Sequence, residues 1–156
     1  MPTECLILPE HRLIWLRYWG HLTRSETLET RQKTLNAPGY DPSFRVLQDF
    51  RGTESNDLSH SEMILMAETL KARRQEIEIP LQLALLAPED LGFGMGRMFV
   101  TLLGEGPLIT ASAFRELDDA LAFLALSPEA QDLIREMSTD EIPKTTAGRQ
   151  TPPKSG

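Results

Sequence analysis

The chain has a single cysteine, Cys5, among 156 residues. That excludes an internal disulfide framework and a cysteine-built metal site, and it fits a reducing compartment. Histidine is also sparse: His11, His21 and His60 are scattered, without metal-ligand spacing. Basic residues number 16 against 23 acidic ones, a formal net charge of −7. So acidic a chain is not expected to bind nucleic acid or an anionic membrane surface. No apolar run approaches the roughly 20 residues that span a bilayer. Leu6-Ile7-Leu8 is cut off by Pro9, too short for the core of a secretory signal. The expectation is a soluble cytoplasmic protein. Residues 1–137 read as one α/β domain, long enough to bury a core without staples. From Ser138 to Gly156 the chain is polar, with prolines, glycines and no periodicity, which predicts a disordered tail.

What is present is organised around Pro80 to Leu103. Leu81 to Ala87 is an apolar run between two prolines, interrupted only by Gln82, and predicts a strand buried on both faces. After Pro88 the period changes. Leu91, Met95, Met98, Phe99 and Leu102 recur at helical spacing, with Glu89 and Asp90 in the first turn, where the helix dipole favours carboxylates. Phe93 and Val100 fall off that stripe and, with Arg97, form a candidate contact surface. Gly92, Gly94 and Gly96 have two readings. A phosphate loop would place its glycines before the helix, would not be preceded by two acids, and would carry a Gly-Lys-Ser/Thr signature. Close packing of a helix on a sheet fits better, because Gly92 and Gly96 share one helical face.

Cys5–Leu8 and Leu13–Trp19, separated by Pro9 to Arg12, predict an antiparallel hairpin ended by Gly20. Thr23-Arg24-Ser25-Glu26 is a capping box for a helix to about Ala37, with Leu28 and Leu35 as its apolar side. Arg45–Phe50 is the next strand, followed by a polar turn, Gly52 to Asp57. Ser59-His60-Ser61-Glu62 caps a helix with Met63, Ala67, Leu70 and Ile77 inward. Its Lys71, Arg73 and Arg74 read as a solvated face neutralised by Glu76 and Glu78. Leu108–Ala113 is a last strand, and two more helices follow, the second beginning at Pro128 and fading near Met137.

Strands alternating with helices should be parallel and joined by right-handed crossovers, and the initial hairpin makes the sheet mixed. The expected fold is therefore an α/β domain with a mixed sheet of about five strands. The turns after its parallel strands gather at one end of the sheet, where ligands of open α/β sheets bind. Asp49, Arg51, Ser55, Asp57, Ser59, Glu89, Asp90 and Arg115 are the polar groups that this topology brings to that rim. Helix capping and surface charge pairing account for the same residues without function.

No catalytic constellation stands out. His60 adjoins Ser59, but neighbours in a first helical turn point apart, and no Gly-x-Ser-x-Gly elbow exists. No cofactor or metal is expected.

The strand Arg45-Val-Leu-Gln-Asp49-Phe50, the run Ala87 to Phe99 and the segment Phe114 to Leu121 occur in an order that resembles the STAS family of anti-sigma-factor antagonists. The likeness is to the branch related to the stage II sporulation antagonist, which borders on SEC14-type lipid-binding domains. It spans roughly Leu6 to Leu126. The resemblance implies a non-catalytic regulatory domain that binds another protein, with a serine at a helix start phosphorylated by a partner kinase. The matching place holds Asp57-Leu58-Ser59, so Ser59, with Ser55 beside it, is the candidate phospho-acceptor. A leucine separates aspartate from serine here, and the family's following glycine is missing. The alternative is a carrier of a small apolar ligand or lipid in the strand-end crevice. A sizeable apolar cavity would favour the carrier, and a filled core the interaction module.

Overall fold

A computed structural model describes residues 3–139. Two apolar runs split by Pro9 form the hairpin: β1 (Thr3–Leu8), a 3-10 turn at Pro9–His11, then β2 (Leu13–Leu22). Arg12 closes the turn in the left-handed region at φ 51°. Five elements complete the wound part of the domain: α1 (Arg24–Asn36), β3 (Arg45–Asn56), α2 (His60–Ile77), β4 (Leu81–Leu86) and α3 (Asp90–Leu103). β5 (Ile109–Phe114), α4 (Leu117–Phe123) and α5 (Pro128–Thr139) follow.

The sheet has five strands in the order β1-β2-β3-β4-β5. β1 pairs antiparallel with β2, and the other pairs are parallel. The expected mixed α/β fold is therefore what the chain adopts. Each parallel crossover steps the same way along the sheet, so the crossover rule puts α1, α2 and α3 on one face. Leu83 and Leu85 meet Ala67 of α2 and Leu103 of α3 on that face. Leu13, Trp15, Leu47, Ala84 and Leu86 point the other way and are covered by α4 and α5 through Leu121, Leu124 and Ile134. The period-2 alternation of the strands thus feeds two apolar layers. No helix among the described residues is long and apolar enough to cross a membrane.

Four local expectations are corrected. Neither Gly20 nor Gly52 ends a strand: β2 and β3 run on to Leu22 and Asn56. Beyond Asp49, opposite Leu86, β3 has left β4 behind and pairs with β2 alone. The pair forms a ribbon with register shifts after Arg17 and Gly20, and Gly20, at φ +73°, absorbs the second. It reads as a loop because it stands clear of the central sheet and is polar. Helix α1 does not bury Leu28, which is exposed; it buries Thr30 and Thr34 against β1. Each hydroxyl donates to the carbonyl four residues back, freeing the threonine methyl for packing. A hydrophobicity scan does not register such a stripe.

The basic cluster of α2 is not a solvated face. Arg74 is 5% exposed, and its Nη1 donates to the carbonyls of Pro42 and Ile79. Burial lowers its pKa from the usual arginine value. Lys71 donates to the Leu102 carbonyl and pairs with Glu68. Finally, Ser138 and Thr139 belong to α5, while the tail expected at residues 140–156 lies outside the described residues.

The glycines of α3 divide as close packing requires. A Cβ at Gly92 would lie 3.3 Å from the Ala87 methyl, and one at Gly96 would lie 3.5 Å from the Ala113 methyl. Gly94 faces open space. Gly94→Ala is expected to stabilise the protein by about 0.5–1 kcal/mol through helix propensity alone. Gly92→Ala should gain less or lose, because its methyl must displace Ala87. Urea unfolding of the two variants, compared at equal m-value, checks the difference.

Candidate functional site

The C-terminal ends of β3, β4 and β5 share one edge, as parallel strands must. The polar residues expected there separate into three groups rather than one rim.

Asp49 and Arg51 lie on the α4/α5 side. Asp49 is 2% exposed, and its carboxylate accepts from Trp15 Nε1 at 3.1 Å and from Arg51 Nε and Nη2 at 2.9 and 2.6 Å. Arg51 Nη2 also donates to Ser138 Oγ of α5. This is a bidentate pair, satisfied on all sides, that ties the sheet to the last helix. It is a brace facing away from α2 and α3. Arg17, beside Asp49 in register, stacks over the Trp15 ring at 4.7 Å and completes the charged row.

Asp90 and Arg115 form the second group. Arg115 Nη1 reaches Asp90 Oδ1 at 2.8 Å and the Pro88 carbonyl at 3.1 Å, and its guanidinium lies over Phe93 at 4.4 Å. Arg97 approaches the same ring at 6.0 Å. Phe93 therefore packs beneath two arginines. Val100, proposed with it as an outward contact, is half-buried against the core layer of Leu83 and Leu103. The large apolar residues left outward on α3 are Leu91, 72% exposed, and Met98, while Arg97 is also exposed.

The third group lies on the β2–β3 ribbon and the start of α2. His21 Nδ1 is 2.7 Å from Ser55 Oγ, and His21 Nε2 is 3.7 Å from Asp57 Oδ2. The order serine, histidine, aspartate resembles a nucleophile relay. However, the second distance is beyond hydrogen-bond range, and the imidazole is 53% exposed. Ser59 serves as the cap of α2: its Oγ accepts from Glu62 N at 3.1 Å, and Glu62 Oε1 accepts from Ser59 N at 2.8 Å. Among the described residues no cluster of His, Cys, Asp and Glu is placed to hold a metal ion.

Between the second and third groups, on the α1–α3 side of the sheet, opens a cavity of about 170 Å³. Its floor is Tyr18 and Leu22 of β2, Gln48 and Phe50 of β3, with Leu85 and Ala113 beyond. Tyr18 and Phe50 stack at 4.7 Å. Met63 and Met66 of α2 and Met95 and Phe99 of α3 form the roof. Glu54, Ser55 and Asn56 of the ribbon border it on one side, Glu89 and Leu91 on another. Glu89 is thus the one member of the expected acidic rim that faces this space. The ribbon walls the cavity only because β2 and β3 continue past the sheet.

Sequence reasoning assigned none of Tyr18, Gln48 and Met66 to a site, and placed Met63 only as an inward residue of its helix. Two signals were available. Gln48 is a neutral polar side chain in the middle of an apolar strand, and the methionines cluster on α2 and α3, where adaptable side chains line irregular spaces.

No family model matches the chain, and no curated protein and no solved structure matches it either.

Asp49→Ala is expected to cost about 3 kcal/mol of stability, because it strands the half-buried Arg51 and leaves Trp15 Nε1 unpaired. Denaturant titration measures this. A loss below 1 kcal/mol would show that the brace carries little.

Proposed function

We propose that this protein binds a small, largely apolar molecule in the cavity under α2 and α3, without covalent chemistry. The supporting observation is the cavity itself: about 170 Å³, aromatic and methionine-lined, at the strand ends where α/β sheets bind ligands. The size sets the scale of the occupant. A cavity of about 150 Å³ accommodates a benzene-sized molecule, so the fit here is one ring or one short chain rather than a two-chain lipid. Cytoplasmic residence, consistent with a lone cysteine, belongs to the same proposal.

Methionine methyls provide the test. With 13C-methyl methionine and toluene as probe, the Met63, Met66 and Met95 signals are expected to shift saturably. Met137, which packs on the opposite face of the sheet, should stay still. Equal drift of all methyls, or none at millimolar toluene, would remove the reading.

A second reading keeps the STAS-like likeness: a regulatory domain that binds another protein and is switched by phosphorylation at Ser59 or Ser55. It is supported by the exposure of both serines, Ser55 at the cavity border and Ser59 at the start of α2. A phosphate at that helix start would be tolerated electrostatically but would displace the cap to Glu62. Intact-mass measurement of protein from its native cells, across growth states, should find the added phosphate. Its consistent absence would eliminate the switch.

A further inference from the structure

The cavity floor is not uniformly apolar. Tyr18 is 4% exposed, and Gln48 stands on the same face of the neighbouring strand, beside Leu16 in register. Both line the cavity, yet no hydrogen bond joins the Tyr18 hydroxyl or the Gln48 amide to another described residue. Gln48 is half-buried, and neither group is sealed in the core, so each keeps its hydrogen-bonding capacity for whatever fills the cavity. Of the other polar groups nearby, Asn56 donates to Met95 Sδ and accepts from Leu58 N, Ser55 pairs with His21 and Thr27 donates to the Thr23 carbonyl, while the Thr53 hydroxyl is a third group without a partner among the described residues.

The charge around the cavity is one-sided. Glu54 and Glu89 border it, and among the described residues no lysine or arginine lines it. Arg115, at the same edge of the sheet, is held by Asp90 and the Phe93 ring. The N-terminus of α3 at the mouth would by itself favour an anion, but Glu89 and Asp90 already sit on it. A carboxylate entering here would lose water, meet no counter-ion and face two acids.

Resting on the ligand-pocket reading above, we infer that the cavity selects amphiphiles with a neutral hydrogen-bonding group, such as a hydroxyl or amide. That group enters first, to meet Tyr18 and Gln48, and the apolar body lies beneath the methionines. Carboxylates of the same length are rejected. Burial pushes the Tyr18 phenol well above its ordinary pKa, so the hydroxyl stays protonated and able to donate at any ordinary pH. The amide of Gln48 offers both donor and acceptor, so an alcohol or a primary amide can be matched at both.

The experiment titrates the methionine-labelled protein with toluene, 1-hexanol, hexanamide and hexanoate. Hexanol and hexanamide should bind, with hexanoate at least about tenfold weaker. Tyr18→Phe keeps the stack on Phe50 and should weaken hexanol by about threefold to tenfold, leaving toluene within about twofold. Gln48→Leu should act in the same direction and provides a second, independent variant. Hexanoate binding as tightly as hexanol overturns the inference. So does Tyr18→Phe together with Gln48→Leu changing hexanol no more than toluene. In either case toluene binding still stands, and only the selectivity falls. If no probe, toluene included, moves the Met63, Met66 and Met95 methyls, the pocket reading itself has failed.

Discussion

Helix α3 lies against β4 and β5 at the distance that two glycines and two alanines allow. Gly92 meets Ala87, where even an added methyl would be tight, and Gly96 meets Ala113, where an added methyl would come into ordinary contact. On β2 and β3 the same face of the sheet carries Tyr18 and Phe50, stacked on one another. Small residues draw the helical layer in at one side, and rings hold it off at the other. A cavity between α2, α3 and the sheet follows from that difference in side-chain size. It needs no strained backbone.

The opposite face of the sheet is closed by other means. Trp15, Leu47 and Leu86 fill it with Leu121, Leu124 and Ile134, and Asp49 with Arg51 closes its strand-end edge. The buried carboxylate is satisfied by an indole and a guanidinium, which makes the ion pair a fastening rather than a reactive group. The two faces therefore differ in kind. One is packed and tied to α5; the other is open at the end of the sheet. Topology alone does not produce this, since both faces begin at the same strand ends.

The β2–β3 ribbon shows how a polar sequence can be strand. Gly52 to Asn56 has the composition of a turn, but its backbone groups are met by β2, and its side chains border the cavity or reach water. Helix α1 makes the complementary point. Its apolar leucines would orient it one way, yet it turns its threonines inward, because their hydroxyls bond back to the helix and also reach Thr3 and Cys5 of β1. In both cases the local signal was read for polarity, and the partner strand or neighbouring helix changed what polarity meant.

The alternation of apolar strands with capped helices determined the α/β class, the parallel direction of β3, β4 and β5, and the packing role of Gly92 and Gly96. Those features depend on hydrophobic period, prolines and capping boxes, which are local and survive in the linear order of residues. Which polar residues meet was decided only in three dimensions. Asp49 and Arg115 end strands in the same direction, yet they point to opposite sides of the sheet. Side-chain direction alternates at every residue, so a bulge or a strand extended by a few positions reassigns it. Tyr18 and Gln48, some thirty residues apart, became neighbours on one cavity floor through the pairing of β2 with β3, a long-range contact that no short stretch of sequence encodes.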